Sequence, residues 1–441
     1  MSNDMFEPGS FTTGVASPVY LTHKIQGIEG TLKQRPDDFL VEEIPLYAPA
    51  GEGEHIYLFV EKRGLSTLQL RDTLARHFGV SRKAVGHAGL KDKHAVTRQV
   101  ISIHAPGRNP EDFPSFQHDR ARVLWVDLHT NKLQRGHLAG NRFSIKVRDV
   151  DPLSVRNAKA SLDMLARVGV PNRFGVQRFG NQMNNHLVGR ALILADYQSA
   201  LDLLLSPHPL APEGSRDARE AYSIGKFADA AEMMPKVFKA EYHTLRALAR
   251  GDAPPKAIRA IDPTAAGFFI SSFQSAIFNQ VLNHRVESGT LDTLEPGDLA
   301  FRFKNRTSFR ITPEDLDSDA EALRERMDRF EIAPSGPMWG TTMPRPDGEV
   351  GARELEALAR AGISPKDMEL CEQRDAYPMI GGDRRPLRIP VIDPEVEGGI
   401  DEHGAYIRCA FELPRGSFAT TVMDEVMKTS AMQDMENAHG S

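Results

Sequence analysis

Cysteine is scarce in this sequence. Cys371 and Cys409 are the two in 441 residues, they have no CxxC spacing, and they cannot form a disulfide framework, which suits a reducing compartment. Long apolar runs are missing as well. No stretch approaches the roughly eighteen apolar residues that a membrane-spanning helix needs. The opening MSNDMFEPGSFTTG lacks the basic start and apolar run of a signal peptide. These absences predict a cytoplasmic protein without membrane association. Several chemistries are also disfavoured. The fifteen histidines include no HExxH pair, and His87, His94 and His104 lack metal-ligand spacing, so no metal site is expected. There is no GxxxxGKS/T phosphate loop, no GxGxxG after a strand and no GxSxG elbow.

Positive charge is short overall: 54 Lys and Arg stand against 60 Asp and Glu, a formal net charge of −6. That average argues weakly against a nucleic-acid partner, but it hides a local asymmetry. Ser81–Arg108, Asn131–Arg148 and Asn172–Arg190 together hold fourteen basic residues and one acid in 65, while the other 376 residues hold 40 and 59. A phosphate-binding face needs a local cation excess rather than a basic whole protein. The lone acid in those segments is Asp92.

The length and the ordinary globular composition, 40% apolar and 26% charged, predict two domains. Residues 1–20 and those after about Lys428 read as loose tails. FLVEEI, EHIYLFVEK, RQVISI, RVLWVDL and NRFSIKV have strand composition. A helix follows Ser66 or Thr67 as N-cap, with Leu70, Leu74 and Phe78 on one face, and Ser81 can cap a short helix leading to AGLKDK. In DPLSVRNAKASLDMLARVG, an Asp151 cap, Pro152 at the first turn and Leu153, Leu162 and Leu165 predict another helix. Beyond about Pro171 helix signals dominate, in NNHLVGRALILADYQSALDLLL, KVFKAEYHTLRALAR, AAGFFISSFQSAIFNQVLNHRV and, later, ARELEALARAG. Strand-like runs return in DLAFRFKNRTSFRI, RRPLRIPV and AYIRCAFEL. A β-rich start, helix-rich middle and β-rich finish suggest one domain inserted into another, though domains in a row would give the same string.

Gly86–Gln99, GHAGLKDKHAVTRQ, carries the clearest chemistry. Gly86 and Gly89 offer backbone freedom for a tight loop, and Asp92 sits between Lys91 and Lys93. A free Asp titrates near pH ~4, and flanking ammonium groups favour the ionised form further unless burial opposes them. Such a carboxylate can act as nucleophile or base. The triplet alone is equally compatible with a solvated Lys-Asp-Lys turn.

The longer run is more specific. GLKDKHAVTRQ resembles the signature of the TruD family of tRNA pseudouridine synthases, in which the Asp of the KD pair is catalytic. Further blocks resemble the family in the same order: Phe39, Val41 and Glu43 (F-x-V-x-E); Asn141 and Phe143 in GNRFSI (N-x-F); Gly169–Gly180, GVPNRFGVQRFG; Phe273–Asn279, FQSAIFN; and Gly416–Met423, GSFATTVM. The resemblance spans about residues 30–427. His87 departs from it, since an aromatic such as Phe or Tyr is expected there.

The resemblance implies an α+β fold: a pseudouridine-synthase core with an antiparallel, mixed-topology sheet flanked by helices, over residues 21–170 and 384–441. A helix-rich TruD-specific domain would be inserted at 171–383, with RNA in the cleft between the two. It implies conversion of uridine to pseudouridine in tRNA, at position 13 of the dihydrouridine arm, by a monomer needing no metal, redox cofactor, energy source or protein partner. Asp92 is the catalytic residue by that resemblance. Phe143 would hold the extruded base by its aromatic face; a core strand residue is the other reading. Asn141 fixes the loop or contacts RNA. Phe39 and Glu43 line the site, unless Glu43 merely pairs with a lysine. Lys91 orients Asp92 by charge, or lies on the surface. Arg173, Gln177 and Arg178, with Asn181 and Asn185, offer groups that grip phosphate and ribose; Phe174 and Phe179 read as hinge packing, and FQSAIFNQVL as structural. Two other functions fit parts of the sequence: a non-catalytic RNA-binding or RNA-folding protein, which the KD pair disfavours, and a nucleosidase or glycosidase, which needs a second acid near Asp92.

Overall fold

A computed structural model describes residues 18–374 and 381–429. Most of both expected tails, residues 1–17 and 430–441, lies outside the described residues. The chain forms two compact units. One comprises Thr22–Val170 and Ile389–Thr429; the other is continuous over Pro171–Arg388 and includes the described residues before Thr22. The architecture is α+β, a mixed sheet flanked by helices. No helix among the described residues is long and apolar enough to cross a membrane.

The discontinuous unit is built on an eight-stranded sheet. Its strands are β1 (Phe39–Pro45), β2 (His55–Arg63), β3 (Val85–His87), β4 (Val96–His104), β5 (Ala121–His129), β6 (Leu138–Arg148), β7 (Ile392–Asp401) and β8 (Gly404–Pro414). They lie in the order β7-β8-β6-β1-β4-β2-β5, with β3 also paired to β4. The β1–β4 pair is parallel and the other pairs are antiparallel. Residues directly opposite one another share a face of the sheet, so the register sorts the side chains. Glu43 lies opposite Asn141 and Val41 opposite Phe143. Val41 also pairs with Thr97, and Thr97 with Lys62. One face thus carries Phe39, Val41, Glu43, Asn141, Phe143, Thr97, Gln99 and Lys62.

Helices cover this face towards its ends. Helix α1 (Thr67–His77) begins at Ser66, whose side chain forms a capping box with Gln69. Its Leu70 and Leu74, followed by Phe78, pack on Ile56, Leu58, Val60, Ile101 and Ile103. Helix α2 (Val155–Val168) buries Ala158, Leu162 and Leu165 and packs against β7 and α3 (Ala419–Met427). Leu153, expected on the apolar stripe, is instead 78% exposed. It belongs to a 3₁₀ turn over Pro152–Ser154, where the repeat is three residues rather than 3.6.

The opposite face carries a row of alternating charge across six strands: Arg122, Glu61, Arg98, Glu42, Arg142 and Glu412. Arg98 bridges Glu61 and Glu42, each at 2.9 Å, and Arg142 pairs with Glu412. Cross-strand pairs of opposite sign favour this register, each by a few tenths of a kcal/mol (roughly 0.2–1).

The continuous unit is helix-rich. The run NNHLVGRALILADYQSALDLLL, with its helix signals, forms two helices, Asn185–Leu194 and Tyr197–Leu205. Ala195 adopts φ 58° between them, and the Asp196 side chain caps the second helix at Ser199 N–H. The helix Pro263–Glu287 buries Phe273, Ile277 and Leu282 completely. A four-stranded sheet, ordered 383–386, 332–338, 299–302 and 308–310, completes the unit.

Candidate active site

Asp92 lies in the segment joining β3 to β4. Gly86, just before it, is required by close approach: a Cβ there would stand 2.3 Å from the Leu133 carbonyl oxygen and 2.5 Å from Ser102 Oγ. Neither Gly86 nor Gly89 has a positive φ, so the backbone freedom expected of them is not what the loop uses. The loop is instead gripped by side chains. The Lys91 N–H donates to Thr67 Oγ1 at 2.9 Å, at the first residue of α1, and Thr67 Oγ1 donates to Gln99 Oε1 at 3.1 Å. Lys62 Nζ donates to the Asp92 carbonyl oxygen at 2.9 Å and to that of Leu65 at 2.6 Å.

The Asp92 side chain remains 36% exposed. Its carboxylate accepts from Lys33 Nζ at 2.6 Å and from the His94 N–H at 3.1 Å. Partial burial pushes its pKa upward, but the Lys33 bond and charge and the His94 N–H outweigh that, and it sits below the ordinary Asp value. The carboxylate is therefore ionised at neutral pH. Lys33, held at φ 57°, also lies 4.7 Å over the ring of Phe39.

Lys91 neither pairs with Asp92 nor lies on the surface, the two expectations for it: its nearly buried ammonium bonds Glu43 Oε2 at 2.9 Å, the lysine pairing allowed for Glu43, and Asn141 Oδ1 at 2.6 Å. This joins β1, β6 and the loop. The partner of Asp92 is Lys33, whose position in GTLKQRP gave no signal beyond a basic residue. Glu43 also accepts from the Val100 N–H at 3.2 Å. Burial raises its pKa, against the opposing pull of Lys91 and Val100. Phe143 shares this face but is 7% exposed, its ring 5.7 Å from that of Phe411 on β8. His87 is buried on β3, and burial, with Arg135, Arg71 and Lys132, lowers its pKa. A neutral, flat ring thus stands where an aromatic was expected.

Arg173, Gln177 and Arg178 belong to the continuous unit. The Arg173 guanidinium donates to Asn283 Oδ1 and to the Val19 carbonyl oxygen. Arg178 bonds Ser275 Oγ at 3.1 Å and lies 4.7 Å over the ring of Phe268. Asn279 holds both the N–H and the carbonyl of Phe174. Gln177 is exposed. Asn181 and Asn185 belong to the continuous unit too, so six of the eleven sequence-derived site residues are in the discontinuous unit, where the Lys91 hydrogen bonds join Glu43 and Asn141 directly. Sequence reasoning missed Lys33, Lys62, Thr67 and Gln99. Lys62 had one available signal: it continues the alternation Ile56, Leu58, Val60 onto the buried face.

A sequence model of the tRNA pseudouridine synthase D (TruD) family matches residues 16–426. The tRNA pseudouridine synthase D of Geobacter metallireducens is 43% identical over 411 residues, 93% of this chain and 97% of that one. The protein of the same name from Thermus thermophilus is 34% identical over 419 residues, 95% and 94% of the two chains. A crystal structure from Methanosarcina mazei, named for a TruD protein, superposes with a TM-score of 0.83 at 28% identity, covering 95% of this chain and 98% of that one. The chain belongs to the tRNA pseudouridine synthase D family.

Proposed function

We propose that this protein converts uridine to pseudouridine in tRNA, at position 13 of the dihydrouridine arm, and that Asp92 is its catalytic carboxylate. The observation that carries the reading is the state of Asp92: a partly exposed carboxylate, kept ionised by Lys33, on a loop fixed from three strands and a helix. In the reaction the bond from uracil N1 to ribose C1′ breaks, the base turns, a bond from C5 to C1′ forms, the C5 proton leaves, and N1 takes up a proton. Atoms balance without a redox partner. An ionised carboxylate serves this sequence as the nucleophile that holds the sugar or base while the glycosidic bond is open, or as a base towards ribose.

The target base must leave its stack, at a cost of roughly a few kcal/mol. Phe143 and Phe39 are the aromatic residues on the Asp92 side of the sheet assigned to receive it, with Asn141 and Glu43 fixing the loop through Lys91. Gln177, Arg173 and Arg178 are assigned to RNA contact at the start of the continuous unit, which is read as the family's inserted domain. We read the protein as a monomer, with cytoplasmic tRNA as its partner. The test is position-by-position mapping of pseudouridine in tRNA from cells lacking this protein. The expected result is loss at position 13 alone, restored by the wild-type gene; an unchanged map would reject the reading.

A further inference from the structure

A buried lysine lies beneath the Asp92 loop. Lys62 is 1% exposed, at the end of β2, and both of its hydrogen-bond acceptors are backbone carbonyls, of Leu65 and of Asp92. A cation held only by neutral acceptors in a protein interior is costly, and a methionine of similar length would fill the same space without that cost. Such a group is kept where its charge serves a purpose that packing does not. Here its direction is informative. The ammonium reaches the main chain of Asp92 itself, while Thr67 takes the N–H of the preceding residue. Together they hold the peptide before Lys91 and the peptide after Asp92, so the two residues are fixed at both ends and the carboxylate is left to point at Lys33.

We propose that Lys62 is a positioning residue for the reaction, whose charged ammonium fixes the main chain of Asp92 and so aims the catalytic carboxylate. The inference rests on the assignment of Asp92 above. The groups facing Lys62 are few: Asp92 and Lys91 from the loop, Leu65 from the turn into α1, and the uncharged Thr97 of β4 and Ala121 of β5 opposite it in register. Burial lowers its pKa to about 8; Asp92 opposes the shift and Lys91 adds to it. The charge is present at neutral pH and is lost as pH rises through that range. The neutral amine keeps hydrogens to donate but forms weaker bonds to a carbonyl than the ammonium does.

The experiment compares the full-length wild type with Lys62→Met on an unmodified tRNA transcript between pH 6.5 and 9.5, measuring kcat, KM and melting temperature. Lys62→Met is expected to melt at or above the wild-type temperature, with kcat down by about tenfold to a hundredfold and KM for tRNA within about twofold. Wild-type kcat is expected to decline as pH rises past about 8, and the variant to lack that limb. Wild-type kcat for Lys62→Met, or a kcat loss matched by a lower melting temperature, would overturn the proposal. If the variant does not fold, a wild-type kcat that stays level from pH 7 to 9 overturns it equally. Wild type without any activity at pH 7 would instead reject the underlying assignment, so the two failures are distinguishable.

Discussion

The Lys91–Glu43 pair makes the sharpest energetic prediction. Both side chains are almost fully buried, at 5% and 1% exposure, and their charged atoms lie 2.9 Å apart. At an effective dielectric constant of ~20 the gross attraction is about 6 kcal/mol, much of it offset by the desolvation of two ions. Removing one partner is different, because the other is then buried with no counter-charge, at a cost of about 3–5 kcal/mol. Lys91→Met keeps the aliphatic stem and removes the charge together with the bond to Asn141. It should destabilise the discontinuous unit by about 3–5 kcal/mol at pH 7.5. Adding Glu43→Gln should recover part of that loss, a non-additivity of roughly 2 kcal/mol.

The sign with pH follows from Glu43. Its pKa is raised in the folded protein, so the favourable contribution from its protonation is full below the unfolded value and lost as pH rises through the folded value. Without Lys91 that pKa rises further, and the Lys91→Met penalty should shrink between pH 7.5 and pH 5. Urea unfolding can be followed by Trp125, which lies in the discontinuous unit, in a Trp339→Phe background. A penalty below about 1 kcal/mol, or one of equal size at both pH values, would refute the reasoning.

Two further outcomes concern the site directly. Lys33→Ala should change stability by less than about 1 kcal/mol, since the Lys33–Asp92 pair is about one-third exposed. It should nevertheless move the acidic limb of the kcat/KM profile to higher pH, because Lys33 holds the Asp92 pKa down; an unmoved limb would contradict that role. Phe143→Ala should cost about 3 kcal/mol or more of stability, because the ring is buried against Phe411. Phe143→Leu should retain the fold but lose turnover by about tenfold or more; parallel losses of melting temperature and turnover would make Phe143 a packing residue.

Much of this was legible in the sequence because it is local. Alternating apolar residues mark β1, β2 and β4, and Ser66 with Gln69 marks the start of α1. The segment around Asp92 was legible by its resemblance to a family signature. What was not legible is pairing over distance. Lys33 meets Asp92 across 59 residues, and Lys91 meets Asn141 across 50; no periodicity reports such contacts, so the sequence allows Lys91 either Asp92 or the surface, and Glu43 a lysine without saying which. Strand β7, IDPEVEGGID, was passed over because its proline, two glycines and four acids have poor strand propensity. It is an edge strand with mostly exposed side chains, and its pairing to β8 sets its conformation. The helix signals over residues 184–205 do not report the break at Ala195, where a left-handed backbone precedes the Asp196 cap.

The central claim is most directly tested by Asp92→Asn, which keeps the size and shape of the side chain but removes its charge. Pseudouridine at each position of a tRNA transcript would be quantified after incubation with wild type or variant, alongside the Kd for the same transcript. The account predicts pseudouridine with wild type, none with the variant, and a Kd within a few-fold of wild type. Pseudouridine formation at the wild-type rate by Asp92→Asn would contradict it.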